Sequence, residues 1–297
     1  MTSAPQTTDS AAAAREASAE AFEFVRELAL ELSGANLELP SYPEVALRVQ
    51  RALSDMNADS ERVVRVLGAD PVLAARVLTL ANSAAMNPTG KSVTDLRRAV
   101  VNLGFDALRT AAMSFALNQL RKAASYKDIK DQMSTQWQYS TAMAAFCYVL
   151  ARKSARFNPD TAMLAGLISG VGKLYILTRA RRHPALFGDD VAYQGIVRDW
   201  HGNIARALLD NWQIADEIVT AVQSFEEAAS EPRNTPHLAD VLAVAAALID
   251  AGESLEILLG NADIERPFKR LGLDFTAVEC MRAESQAEIE SLRLALG

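Results

Sequence analysis

The sequence is poor in the residues that bind transition metals. Its 297 residues include only three histidines and two cysteines. His183, His201 and His237 are far apart, and the two cysteines lack the spacing of a zinc site. A transition-metal centre needs several imidazole or thiolate ligands that converge. The sequence therefore predicts neither such a centre nor a cofactor, although carboxylates alone could still hold magnesium. Each histidine is interpreted as a hydrogen-bonded polar residue.

Cysteine is scarce as well, which excludes a disulfide framework. Cys147 and Cys280 are 133 positions apart, and each lies within an apolar pattern of helical spacing. Isolated thiols in such patterns are usually core residues. We therefore expect both cysteines to be buried, in a protein of a reducing, cytoplasmic compartment.

Long apolar runs and an excess of basic residues are also missing. The best candidate run, Val241 to Ile249, lies between Asp240 and Asp250 and has about half the length of a membrane span. The N-terminal residues lack the basic and apolar regions of a signal peptide. Thirty basic residues against 37 acidic ones give a net charge of −7, which weakens attraction to nucleic acid and to anionic lipid. We expect no membrane or nucleic-acid partner.

Helical patterns fill most of the chain. Apolar residues make up 50% of it, enough for a continuous core, and many recur at helical spacing. Asp70-Pro71 and Asn158-Pro159 read as helix starts, and Ser41, Pro43 and Glu44 as a capping box. Clean two-residue alternation is missing, so the fold class is predicted to be all-α. Helices are predicted at 94–103, 106–120, 128–151, 158–177, 189–200, 203–212, 216–227, 236–251 and 275–296, with a break at 183–188.

Motifs for phosphate binding or nucleophilic catalysis are missing. Gly166, Gly170 and Gly172 follow no predicted strand, and neither a Walker pattern nor a dinucleotide fingerprint fits them. Their interpretation is close helix packing, where a missing Cβ lets two backbones approach. The basic cluster of Arg179, Arg181 and Arg182 suits the end of a helix, and an anion-binding patch is the alternative.

Several ordered blocks resemble the HDOD family, bacterial regulatory domains related to the HD phosphohydrolases. The blocks are LPSYPEVALRVQRALSDMNADSERVVRVLGADPVLAARVLTLANSA and, next, SVTDLRRAVVNLGFDALR. Further along, FNPDTAMLAGLISGVGKL looks like the family's GLLHDIGK helix, and WHGNIARALLDNWQIADEIVTAV like its H..vG segment. The resemblance spans about 39–251.

This resemblance implies an architecture. An N-terminal helical subdomain (39–125) would pack on a degenerate HD-like helical bundle (126–251). Residues 1–38 would form a tail and a lead-in helix, and 252–297 a helical extension. The two terminal segments offer amphipathic surfaces, either for packing against the body or for partners and self-association.

The resemblance also implies that the metal site is lost. The metal-binding His-Asp doublet falls at Ser169 and Gly170, and an earlier ligand histidine at Tyr139. A later histidine pair falls near Phe225 and Glu226. Only Asp240 remains a ligand-type residue, and one carboxylate cannot position a metal and activate water. We therefore expect no metal and no catalytic residue.

Three functions follow from these observations. The first is a non-catalytic signalling or scaffold protein that contacts other signalling proteins. The second is a phosphohydrolase with a rebuilt site, in which Asp160, Glu226 and Asp240 converge with Lys173. The third is DNA binding through a helix-turn-helix-like segment around 59–82. In its candidate recognition helix, Arg76 and Asn82 are the polar side chains that could contact base edges.

A last group of polar residues lies inside apolar helices. Arg76, Asn82, Ser83 and Arg109 are interpreted as satisfying one another or helix ends. The alternative is that they line a ligand cleft or an interface, in which Lys173 would also take part.

Overall fold

We describe the protein from a computed structural model. The structure describes residues 6–34, 37, 39, 48–49, 51–53, 60–252, 254–258 and 262–297. The predicted capping box at Ser41, Pro43 and Glu44 lies outside these residues. No strand occurs in the described ranges, which confirms the all-α fold class.

Thirteen α-helices lie in the described part of the chain, joined by short 3₁₀ turns. The first seven are α1 (Gln6–Ser33), α2 (Ser60–Gly68), α3 (Pro71–Ala81), α4 (Leu96–Lys122), α5 (Lys130–Ser154), α6 (Pro159–Ile168) and α7 (Val171–Ala180). The others are α8 (Pro184–Gly188), α9 (Asp190–Asn211), α10 (Asp216–Ser224), α11 (Leu238–Asp250), α12 (Ala262–Leu271) and α13 (Phe275–Leu296).

Two of the predicted helix starts have the expected caps. Asp70 accepts hydrogen bonds from the backbone N–H groups of Val72 and Leu73 at the start of α3. Asn158 does the same for α6. In both helices proline occupies the first turn, where a missing N–H leaves no intrahelical hydrogen bond unmade.

Glycine misled the prediction of helix ends at three places. Gly104 only kinks α4, at φ 72° and ψ 176°. α9 continues through Gly202. A Cβ at this position would lie 2.8 Å from the Gln223 carbonyl oxygen, so the glycine allows close packing and does not end the helix. The helix predicted over 158–177 ends at Ile168 and restarts at Val171, with Ser169 and Gly170 between α6 and α7. The predicted break at 183–188 contains the short helix α8.

The core lies where α5, α6, α7 and α9 cross. Nearly every residue of α6 is buried, and a Cβ on Gly166 would lie 2.6 Å from the Met143 carbonyl oxygen of α5. A Cβ on Gly172 would overlap the His201 carbonyl of α9. The interpretation of these glycines as packing residues is confirmed. Cys147 is buried in this core, whereas Cys280 is exposed on α13, so its predicted burial is wrong.

The first helix is packed against the body. Phe24 and Leu28 of α1 are fully buried. The carboxylate of Glu20 accepts hydrogen bonds from the N–H groups of Ala185 and Leu186, at the start of α8. About two and three turns further along α1, Glu27 lies 3.3 Å from His183, and Glu31 accepts a hydrogen bond from the Tyr175 hydroxyl at 2.5 Å.

The last helix joins two parts of the molecule. Glu284 forms an ion pair with Lys153 of α5 at 2.8 Å, and Glu288 pairs with Arg152. At the other end of α13, Arg76 donates to the Leu296 carbonyl and Ser114 donates to the same oxygen at 2.6 Å. The buried faces of both terminal helices are therefore occupied within one chain.

The two phenylalanines of α1 test this packing. We expect Phe24→Ala to lower the free energy of unfolding by about 3–5 kcal/mol, because it empties a fully buried site. Phe22 lies on the same helix but is 76% exposed, so Phe22→Ala should change it by less than about 0.5 kcal/mol. Urea unfolding followed by circular dichroism measures both. Equal effects would show that α1 does not dock on the body.

Candidate functional site

The position predicted for the metal-binding doublet lies between α6 and α7. Ser169 is buried, and its hydroxyl donates a 2.8 Å hydrogen bond to the Gly166 carbonyl. Gly170 is the residue before α7. A Cβ built on it would overlap the Gln136 side-chain nitrogen and lie 3.5 Å from the Ser140 hydroxyl. The space for a longer side chain at Gly170 is therefore filled by Gln136 of α5.

The Gln136 amide has an unusual environment. Its nitrogen is buried and has no hydrogen-bond partner among the described residues. An unpaired buried amide has a cost of roughly 1–3 kcal/mol. This cost is offset by the packing of the side chain against Gly170, in a cavity of only about 20 Å³ that also touches Trp137 and Leu174.

A chain of charged groups lies one turn further along α7. The Lys173 ammonium donates to one oxygen of Glu226 at 2.7 Å, and the His201 Nε2 lies 2.8 Å from the other oxygen. Burial raises the pKa of Glu226, but the hydrogen bonds and charges of His201 and Lys173 outweigh it and lower the pKa to about 2. Glu226 is thus a carboxylate held by two donors.

The ionisation of Tyr139 and of Asp250 is affected by the charges of this chain of groups. Burial raises the pKa of the Tyr139 phenol, and the negative charges of Asp250 and Glu226 raise it further. Burial also raises the pKa of Asp250, with Lys173 acting in the opposite direction. The site therefore joins Lys173, His201 and Glu226 by direct contacts, and Tyr139 and Asp250 lie within electrostatic range of them.

Asp240 does not join this cluster. It lies near the start of α11, ten residues and about 15 Å of helix from Asp250. Its side chain is fully buried and accepts from Arg233 at 2.6 and 3.1 Å, from Arg270 at 2.6 and 2.9 Å, and from the His237 N–H at 2.8 Å. Burial raises the pKa of Asp240, but these donors outweigh it and lower the pKa. Both oxygens are already engaged.

The convergence needed for a rebuilt hydrolase site does not occur. Asp160 lies in the first turn of α6, about 14 Å along the helix from Ser169. Burial raises its pKa to about 6, with the negative charge of Asp106 adding to the effect. Of the three candidate carboxylates, only Glu226 contacts Lys173. No group of three or more His, Cys, Asp or Glu side chains in the described ranges could hold a metal ion.

The other predicted polar residues lie elsewhere. Arg76 donates to carbonyls of the last two residues, and Asn82 exchanges hydrogen bonds with the backbone of Val93 at 2.7 and 2.8 Å. Arg109 pairs with Asp106 and donates to the Leu53 carbonyl at 2.8 Å. The Ser83 hydroxyl is buried and has no hydrogen-bond partner within the described residues. None of the four contacts the cluster around Lys173.

Comparison with known proteins agrees with this helical architecture. A family model described as the HDOD domain matches residues 39–228, well over half of the chain. The chain belongs to the HDOD family. A comparison with curated proteins found no match. The family assignment confirms the resemblance found in the sequence blocks.

Three solved structures show the range of related proteins. One is a protein from Shewanella amazonensis SB2B that is named as a candidate metal-dependent phosphohydrolase. It is 25% identical to this chain, and the two structures align with a TM-score of 0.75 over 94% of this chain and 100% of that one. An HDOD domain protein of unknown function from Geobacter sulfurreducens is 24% identical, with a TM-score of 0.60 over 91% and 96%. A candidate signal transduction protein from Marinobacter aquaeolei VT8 is 22% identical, with a TM-score of 0.58 over 94% and 66%.

One stretch of the HDOD chain has the length and apolarity of a membrane span. It is Pro159–Ala180, which contains α6 and α7, and not the run around Val241 that stood out in the sequence. In its most apolar 18-residue stretch, 89% is buried inside the protein. The segment therefore has the properties of a core segment. The described residues contain no other such stretch.

Gly170 and Gln136 allow a test of the filled site. Gly170→Ala should lower the free energy of unfolding by about 1–3 kcal/mol, because its methyl group overlaps the glutamine amide. In a Gln136→Ala background the same substitution should have a much smaller effect, since the overlap is gone. Urea unfolding of the four proteins gives the coupling energy. Strictly additive effects would contradict the contact.

Glu226 predicts a specific pH dependence. Its pKa falls from an ordinary value of 4.5 to about 2 in the folded protein, so its carboxylate stabilises the folded state above pH 4.5. That stability is lost as the pH falls toward the folded pKa. Glu226→Gln should remove this part of the acid destabilisation between about pH 5 and about pH 3, measured as urea midpoints. If both proteins lose stability equally over that window, the assignment is wrong.

Proposed function

We propose that this HDOD protein is a non-catalytic regulatory protein that acts through contacts with other signalling proteins. The observation that carries the proposal is the filled doublet position. Ser169 uses its hydroxyl within the helix, and Gln136 occupies the space beside Gly170. A metal ion would need ligands and room at this position.

The charges around the site support the same proposal. In an HD enzyme a cation would balance the carboxylates; here the Lys173 ammonium lies against Glu226 at 2.7 Å. Asp240 is balanced by Arg233 and Arg270. The carboxylates are therefore satisfied by this chain's own cations, and a divalent metal would have to break buried or half-buried ion pairs, which is costly.

Contacts with proteins are favoured over contacts with DNA. Leu73, Val77 and Leu80 of α3 are fully buried, and the two polar candidates for base contacts, Arg76 and Asn82, are engaged with the chain's own backbone. The outer face of α1, by contrast, exposes Phe22 and Leu30, at 76% and 66%. Apolar side chains exposed on one helix face suit a protein partner.

A phosphohydrolase is the second candidate, favoured by the likeness to the Shewanella protein. Turnover assays separate the two. We expect the full chain with Mg²⁺ or Mn²⁺ to release phosphate from phosphomonoesters and cyclic dinucleotides no faster than its His201→Ala/Glu226→Gln variant. This double variant is the matched control, because it removes the two acid–base groups of the site. Turnover that the wild type shows and the double variant loses would overturn the proposal.

Contacts with partner proteins are measured by affinity capture with the same purified wild-type chain. The immobilised wild-type chain should retain signalling proteins from the native cell, and Phe22→Ser/Leu30→Ser should retain fewer. Both substituted side chains are largely exposed, so the variant is expected to fold. Equal retention by the two chains would count against α1 as the contact surface.

A further inference from the structure

An open cleft lies beside the filled doublet position. Its volume is about 360 Å³, within the range of small-molecule sites. Helices α5, α7, α8 and α9 contribute its walls. It is separate from the metal position, because Gln136 lies between the cleft and Gly170. The lining residues are Asp131, Gln132, Thr135, Gln136, Lys173, Leu177, Phe187, Tyr193, Gln194 and Val197.

One side of the cleft is apolar and aromatic. Phe187 and Tyr193 form an edge-to-face pair with ring centroids 5.5 Å apart. The buried side chains of Leu177 and Val197 lie next to them. Burial raises the pKa of the Tyr193 phenol to about 12, and the charge of Asp190 adds to this effect. At neutral pH the hydroxyl of Tyr193 is therefore protonated and can donate a hydrogen bond, and its ring offers a stacking surface.

Side-chain amides from α5 and α9 also line the cleft. Gln132, Gln136 and Gln194 each carry both a donor and an acceptor, and the Thr135 hydroxyl lies among them. Gln132 is exposed, and none of the described residues forms a hydrogen bond with its amide. The Gln194 amide donates to Asp190 at 3.4 Å, which leaves its carbonyl oxygen open. The unpaired Gln136 nitrogen is buried against Gly170 and does not face the cleft. Amides with free donors and acceptors match the edges of planar heterocycles, as in the recognition of adenine by glutamine.

The charge of the cleft argues against a phosphorylated ligand. Among the described residues that line it, Lys173 alone is basic, and that ammonium is already paired with Glu226. Asp131 contributes a negative charge at the rim. Phosphate binding normally uses arginine or unpaired lysine, and the described part of the chain contributes no arginine to the lining of this cleft.

We infer that this cleft binds an uncharged, flat heteroaromatic molecule of the nucleobase or nucleoside class. The ring would stack against Tyr193 and Phe187, and its polar edge would face the glutamine amides. Such a ligand differs from the phosphate esters expected of a phosphohydrolase site. Bound without being converted, it would give the regulatory protein of the proposed function a chemical input.

Isothermal titration calorimetry of the full chain tests this inference. Adenosine, guanosine, cytidine and uridine are the probes, each compared with its 5′-monophosphate. We expect at least one nucleoside to bind with a Kd below about 1 mM, and its monophosphate to bind more weakly. Gln132→Ala and Tyr193→Leu should each weaken binding about tenfold, the effect of losing one hydrogen bond or one stacking surface.

Gln138→Ala is the matched control, because this glutamine is exposed on the same helix and lies outside the cleft. It should bind like the wild type. Gln132 is exposed, so Gln132→Ala stays informative even if Tyr193→Leu does not fold. No heat with any nucleoside, tighter binding of the monophosphate, or wild-type affinity in Gln132→Ala would overturn the inference.

Chromatography of the titrated nucleoside separates this inference from the proposed function. An intact nucleoside that binds supports both. A nucleoside that binds and is converted would overturn the non-catalytic function but keep the cleft as the binding site. If no nucleoside bound, the inference about the ligand would be wrong, but the turnover assay of the proposed function would still be valid.

Discussion

Close helix packing at two glycines fixes the geometry of the whole bundle. Gly166 allows α6 to approach the backbone of α5, and Gly172 allows α7 to approach the backbone of α9. Because protein interiors are close-packed, a methyl group at either position would force whole helices apart. The segment between them, Ser169 and Gly170, is thereby held against α5. The contact of Gly170 with Gln136 lies in this segment.

Two sets of ion pairs neutralise acidic groups at different places in the bundle. Near α7, the Lys173 ammonium and His201 hold Glu226. Near α11, two arginines hold Asp240, which is fully buried. A buried carboxylate without such partners would be strongly destabilising. The fold therefore balances these two acidic groups with cations of its own chain.

The sequence predicted the helical class, the helix caps and the role of the packing glycines, because these depend on local chemistry. It did not predict that the charge of Asp250, rather than that of Asp240, acts on Tyr139 and is acted on by Lys173. Both aspartates flank the same apolar run, and only the direction in which α11 crosses the bundle distinguishes them. Cys280 was misplaced for a related reason: its apolar neighbours define a helix face, and the cysteine lies on the other side of it.

The cleft and the filled site share two residues, Gln136 and Lys173. Gln136 packs α5 against the start of α7, and Lys173 ties α7 to Glu226 beyond α10. A ligand that binds both side chains would act on the contacts that set the position of α7. It can shift the protein between two arrangements only by the difference in its affinity for them. A regulatory role thus requires that the amide of Gln136 be held differently with and without ligand. Its unpaired nitrogen is buried against Gly170, so a ligand in the cleft could bind it only if the amide moved.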